Sequence, residues 1–310
     1  MPASARLATA KSACTTNKMD REENQPQSVP KRYRIAPFAT RHVENSRAWI
    51  EKAAAEVTAS GSVLVLGAGP CSDIPLAELL AAFDRVVLND FDPALLAQAL
   101  ERLHPAAERQ RIELNVSDLT APDSLLAVTD AILATADDPE TALLQIAAAT
   151  RAFEVRKAEI AGSYDLVVAS CLLSQLHVMT VQRMLASFRL RFSENVDSLA
   201  AAVEWKLALY DLARRMEHNF IDQLFEWLAP EGRCYLSETV QLCYLDLAAD
   251  GAWETEGSYR MTKSTDLADY LDDRFRVLDQ AHWQRLDSPP TATAQGRLYD
   301  VHALLLARNE

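Results

Sequence analysis

The chain reads as an α/β protein with a Rossmann-like, mostly parallel sheet, helices on both faces and extra helical inserts. Three observations predict this. Short uninterrupted apolar runs such as SVLVL, RVVL and YDLVVA have the character of strands buried on both faces. Segments of helical spacing separate those runs, and strands alternating with helices make a parallel sheet. The first run ends abruptly at Gly67-Ala68-Gly69-Pro70 and a helix follows. The chain has 310 residues, of which 49% are hydrophobic and 24% charged, the balance of a folded domain. No uncharged apolar run reaches the roughly 18 residues of a membrane span. The formal net charge of -13 disfavours nucleic acid as a partner, because like charges repel. Five cysteines without a C-x-x-C pair fit a reducing compartment, the cytoplasm.

Residues 1–30 carry Ser, Thr, Ala, Gln and Pro with few large apolar groups, and read as a disordered tail. Arg6, Lys11 and Lys18 without an acid faintly resemble a transit peptide, and the tail reading is preferred. Residues 31–310 read as one domain. Lys31, Arg32, Arg34 and Arg41 cluster before a helix predicted over 40–58. Ser62–Leu66 is strand one, and a helix through Ile74, Leu76, Leu79, Leu80 and Phe83 follows. Arg85–Leu88 is strand two, closed by Asn89-Asp90; Asp92 caps the next helix, with Pro93 at its first position. Arg111–Val116, Tyr164–Ala169 and Gly232–Glu238 are strands three to five, and Phe275–Leu278 and Tyr299–Leu306 the last two.

Two segments exceed plain crossovers. Residues 119–163 predict a helix pair, the first capped near Asp123 and the second starting at Asp138-Pro139. Residues 193–229 form one long amphipathic pattern. As a single helix it would span roughly 50 Å, so a break or a protruding arm is expected. Trp205, Tyr210 and Phe220 on that pattern suit core packing better than a substrate lid.

A tight Gly-x-Gly turn between strand and helix lets backbone approach a ligand where a Cβ would collide. It also aims N–H groups over the sheet edge, at the switch point where open parallel sheets bind ligands. Asp90, 21 residues after Gly69, closes strand two where a carboxylate can accept from ribose hydroxyls. The combination predicts a nucleoside-containing cofactor. A dinucleotide site wants a third glycine, but Pro70-Cys71-Ser72-Asp73 follow, and Asp73 places an anion where a pyrophosphate would lie. A ligand with an ammonium, a sulfonium and no phosphate fits better: S-adenosylmethionine.

VLVLGAGP, VVLNDFDPALL, IELNVSDLT and YDLVVASCLLSQL together resemble the successive motifs of class I S-adenosylmethionine-dependent methyltransferases, well over residues 60–180 and loosely beyond. The resemblance implies a seven-stranded sheet with strand seven inserted antiparallel. It assigns Gly67, Ala68 and Gly69 to the cofactor turn, Asp90 to the ribose and Phe91 to the adenine. Asp118 would meet the adenine amino group, Leu119 would pack on the base, and Ser170, Cys171 and Leu172 would lie near the methionine part and the methyl. The family usually has an acid two positions before the first glycine, where this chain has Val65. Asp73 is the candidate replacement, and Arg34 and Arg41 are candidates for the methionine carboxylate.

Methyl transfer from a sulfonium depends on positioning and a dry site, so no catalytic triad is expected. His177 is a candidate base, although a structural histidine is the commoner reading; His42 and His218 have the same status. Cys71 and Cys171 read as small packing groups, and no metal site is expected. The strand-four loop lacks the Asn/Asp-Pro-Pro-aromatic pattern of amino-methylating nucleic-acid enzymes, so a small-molecule acceptor is favoured. The competing readings are an NAD(P)-dependent oxidoreductase and a non-catalytic S-adenosylmethionine-binding protein of the same fold.

Overall fold

The computed structural model describes residues 40–59, 61–101, 106–248, 253–261 and 267–309. The proposed tail and Lys31, Arg32 and Arg34 lie outside these residues. The elements are α1 (Thr40–Ala55), β1 (Ser62–Leu66), α2 (Leu76–Ala82), β2 (Arg85–Asp90), α3 (Pro93–Glu101), β3 (Ile112–Val116), α4 (Asp123–Thr135), α5 (Pro139–Ala152), β4 (Tyr164–Ala169), α6 (Val178–Phe192), α7 (Ala202–Trp227), β5 (Leu228–Leu247), β6 (Trp253–Arg260), α8 (Leu267–Asp272), β7 (Phe275–Ser288) and β8 (Gly296–Arg308). The sheet order is β3-β2-β1-β4-β5-β8-β7, with β6 added to the far part of β5. Strands β3, β2, β1, β4 and β5 are parallel, and β8 runs antiparallel between β5 and β7. The order reverses at β1, which puts the switch point between β1 and β4.

Alternation along β1 explains why its apolar run is unbroken. Leu64 and Leu66 join one buried cluster with Val167, Phe220 and Leu224, while Val63 and Val65 join another with Ile50, Leu79 and Tyr235. A strand covered on both faces has no polar side to show. Val65 is wholly buried in the second cluster, so the position where the family carries an acid is here a packing position.

Several expected elements differ. The first helix ends at Ala55, short of Thr58. Asp123 is the first residue of α4 and not its cap, which is Pro122 without a side-chain bond. Asp138 does cap α5, accepting from Thr141 N at 2.7 Å. Asp92 opens α3, its side chain accepting from Ala94 N at 2.8 Å. The 193–229 pattern breaks early: a 3-10 turn at Val196–Ser198 precedes the 26-residue α7. At 1.5 Å per residue α7 is about 39 Å long, and it is no arm. Trp205 and Phe220 are buried as expected, because α7 lies against α5 and the sheet, but Tyr210, also read as core, is 42% exposed because it lies on the solvent side of the helix.

The larger departure is at the end of the chain. Among the described residues the sheet has eight strands, not seven, because Trp253–Arg260 forms β6 beside β5. Strand β5 runs on past Glu238 to Leu247, β7 past Leu278 to Ser288, and β8 starts at Gly296. These extensions make an antiparallel ribbon that continues about 35 Å beyond Leu236, at roughly 3.3 Å per residue. The ribbon starts at the carboxyl end of β4, beside the switch point.

Candidate functional site

The turn after β1 is sewn to the end of β2. Ala68 N donates to Asn89 O at 2.8 Å and Gly69 N donates to Asp90 Oδ2 at 2.8 Å. Gly67 and Gly69 have φ of 57° and 49°, the left-handed region that favours glycine. A Cβ on Gly67 would meet Leu172 Cδ1 at 2.9 Å, whereas one on Gly69 would find no atom within 4 Å. A Cβ on Gly67 would therefore press on the Leu172 side chain, whereas one on Gly69 would face open space. That open cradle is what a ligand lying against backbone needs, and a Cβ would fill it.

Asp90 is buried, and its other oxygen accepts from Asp92 N at 2.9 Å. Both carboxylate oxygens thus organise backbone, a structural duty that the sequence reading did not foresee. Beneath it, fully buried Asn89 donates through Nδ2 to Asn115 Oδ1 and Ser117 Oγ, each at 2.9 Å, tying β2 to the end of β3. Phe91, one residue past the carboxylate, is 55% exposed, an uncovered aromatic face at the sheet's ligand edge. Asp118 Oδ1 accepts from Thr120 N at 2.8 Å and Thr120 Oγ1 at 2.7 Å, which fixes the loop after β3. Leu119 is 8% exposed and packs into the cluster under α4 and α5, so little of it remains to cover a base.

The loop after β4 meets the turn from the other side. Ser170 Oγ donates to Asp73 Oδ2 at 2.6 Å, so the two candidate residues share one place. Cys171, at φ 50°, donates its N–H to Ser237 O at 2.9 Å. Burial pushes its thiol up, which disfavours the thiolate. Leu172 covers Gly67. Half-buried His177 stands just before α6 with a buried Nδ1. Of the basic cluster, Arg41 is exposed.

Groups the sequence reading missed or left minor converge here from the ribbon. Buried His42 of α1 accepts from Trp283 Nε1 of β7 at 3.0 Å. Arg285, two residues on, acts electrostatically on both His42 and Cys171, as does Asp73. The sequence carried no signal for this, because β7 reaches the site only by sheet pairing. Burial, helped by Arg285 and opposed by Asp73, holds His42 down to about 4. The unfolded imidazole titrates near 6.5, so this stabilisation is complete above about pH 6.5 and is lost as pH falls toward 4. At pH 5 the loss is about 2 kcal/mol, at 1.4 kcal/mol per unit. Urea unfolding at pH 7 and pH 5 checks this: His42→Gln is expected to flatten the difference by that amount.

A cavity of about 570 Å³ lies between α7 and the start of β7, lined by Lys157, Asp222, Phe225 and Arg274. It opens at the amino ends of the strands, away from these groups. Among the described residues no cluster of metal-ligating side chains occurs, and no helix is long and apolar enough to cross a membrane.

The sheet order with β8 inserted antiparallel, the switch point at β1 and the glycine turn above it decide the architecture. The fold is a Rossmann-like α/β fold with an antiparallel strand inserted near one edge. No family model matches the chain, and neither does any curated protein. Solved structures are similar to it. An S-adenosylmethionine-dependent methyltransferase from Clostridium acetobutylicum is 12% identical, over 86% of this chain and 91% of that one, with a TM-score of 0.41. A glycopeptide N-methyltransferase complexed with sinefungin is 13% identical over 86% and 87%, with a TM-score of 0.40. A putative RNA methyltransferase from Pyrococcus horikoshii is 9% identical over 87% and 84%, with a TM-score of 0.42.

Proposed function

We propose that the chain binds S-adenosylmethionine at the β1 turn and transfers its methyl group to a small-molecule acceptor in the cytoplasm. The observation that carries this reading is the open backbone cradle at Gly69, directly beside the Asp90 carboxylate at the end of β2. A carboxylate has about four lone-pair sites, and two are spent on Gly69 N and Asp92 N. Two remain, which is what a ribose diol requires. Phe91 offers its exposed face to the adenine and Asp118 its carboxylate to the adenine amino group. Leu119 lies mostly within the core and contributes the wall behind them. Asp73, held by Ser170, supplies the acid that Val65 lacks and pairs with the ligand's ammonium. Cys171 and Leu172 close the crevice on the β4 side.

When bound, the cofactor supplies an electrophilic methyl on a leaving group that departs neutral. The protein's task is to position the acceptor in a dry site. Asp73 and the absent third glycine argue against a dinucleotide, since the acid would face a pyrophosphate. The net charge of -13 argues against a nucleic-acid acceptor.

Calorimetric titration with S-adenosylmethionine and S-adenosylhomocysteine tests the reading. Both are expected to bind with one site per chain, and NADH is expected to give no fluorescence enhancement. Absence of binding by both adenosyl ligands would remove it.

A further inference from the structure

The ladder on one edge of β5 has a gap at the sheet's carboxyl end. Leu236 is the last residue paired with β4, at Ala169, and Gln241 is the first paired with β6, at Arg260. Between them Cys171 N donates to Ser237 O at 2.9 Å and Met261 N to Val240 O at 3.0 Å. Glu238 sits in this gap, beside the residue that holds the post-β4 loop. It is 7% exposed, and its Oε2 is buried without a hydrogen-bond partner. The 3-10 turn Leu173–Gln175 packs against β5 and α7, and the buried Ser174 Oγ on it has no partner either. Unpaired buried polar atoms are costly, so two of them on packed neighbouring elements at the carboxyl end of the sheet are consistent with a place made for a polar group.

The neighbours of Glu238 tune it. Fully buried Glu217 of α7 raises its pKa, Arg260 of β6 lowers it, and burial, the largest effect, brings it up to about 7. His302 of β8 has Nδ1 3.9 Å from Glu238 Oε1, and burial followed by His282 holds it down to about 4, so it stays neutral. His282 of β7 stacks on His302 with ring centres 4.1 Å apart. A carboxyl poised near neutrality can take up a proton at working pH.

We propose that Glu238 is the proton acceptor of the transfer, and that the substrate is methylated on a nitrogen or oxygen that carries a hydrogen at rest. This rests on the methyl-transfer reading above. The acceptor's lone pair forms the new bond to carbon, the carbon–sulfur bond breaks with its pair left on sulfur, and the acceptor's proton passes to Glu238 Oε2. Ser174 Oγ orients the same acceptor atom.

Sinefungin tests this without the acceptor, because it carries an ammonium in place of the methylsulfonium and S-adenosylhomocysteine carries none. The two ligands are titrated calorimetrically into the full chain at about pH 5, 6, 7 and 8. In the wild type the affinity of sinefungin relative to S-adenosylhomocysteine is expected to rise about tenfold from pH 6 to pH 8, as Glu238 ionises. Glu238→Gln should abolish the rise. Glu217→Gln removes the neighbouring like charge and should move the rise to lower pH while keeping it. The other titrating groups are common to all three chains. If Glu238→Gln keeps the rise, or the wild type shows none, the role of Glu238 is overturned while the cofactor reading stands. If neither ligand binds the wild type, the cofactor reading itself fails and the inference falls with it. Should Glu238→Gln not fold, Glu217→Gln decides: an unmoved midpoint overturns the proposal.

Discussion

Asp90→Ala is expected to weaken S-adenosylmethionine binding by roughly ten- to a hundredfold, the worth of hydrogen bonds to a charged group. The loss has two sources. The ribose acceptor disappears, and Gly69 N and Asp92 N lose the oxygens they donate to at 2.8 and 2.9 Å. The second source makes a further prediction. Because the carboxylate joins the β1 turn to the end of β2, the variant should also lose about 1 kcal/mol of stability from its orphaned, partly buried donors. Asp90→Asn keeps the shape but only one acceptor oxygen, so it should lie between alanine and wild type in both measurements. Calorimetry and urea unfolding, run on the same preparations, separate the two effects. Unchanged affinity in a folded Asp90→Ala chain would remove the nucleoside assignment.

The two glycines of the turn should fail in opposite ways. Gly69→Ala meets no atom within 4 Å, so its stability cost is only the left-handed backbone penalty, about 1–2 kcal/mol. Its Cβ would occupy the cradle, and binding is expected to fall by at least roughly tenfold, the effect of one overpacked contact. Gly67→Ala carries the same backbone penalty, and its Cβ would also lie 2.9 Å from Leu172 Cδ1. The contact is with the end of a side chain that can shift, so crowding adds about 1 kcal/mol, the low end for overpacking, and Gly67→Ala is expected to be the less stable of the two. Pairing it with Leu172→Ala should restore part of that stability. A Gly69→Ala chain that binds as tightly as wild type would place the ligand elsewhere.

The Glu238 test is independent of both. It reads a pH step in a ratio of affinities, which a general loosening of the turn would not produce.

Much of this site was legible before any coordinates. Gly67, Gly69 and Asp90 were readable because strand, turn, helix, strand and acid follow one another within 30 residues. Local order of that kind is written in periodicity and in residues with special backbone freedom. Asp73 stood out for the same reason, as an anion too near a supposed phosphate site. What the residues do was less legible. Asp90 holds backbone as well as facing the ligand edge, and Leu119 belongs mostly to the core. Both facts depend on which neighbours the fold brings within 3–4 Å.

The ribbon was the least readable part. WETEGSYR, now β6, has no apolar run, and its alternating Trp253, Thr255, Gly257 and Tyr259 make only a weakly apolar pattern. Antiparallel strands away from the core can carry polar residues on both faces, so their signal is weak. Their pairing partners also lie tens of residues away. Strand β5 was read only to Glu238 because its buried, regular part ends there. His42, Arg285 and Glu238 were unremarkable as letters, and they gain meaning from elements far apart in sequence.

The amino-acid sequence by itself determined the layered sheet, the switch point and the glycine turn, because burial on two faces and a φ above zero constrain residue type locally. The tertiary structure alone decided the eighth strand, the gap in the β5 ladder and the unpaired carboxyl within it. Those depend on long-range pairing and on how far a charge is removed from water, quantities that no single position encodes.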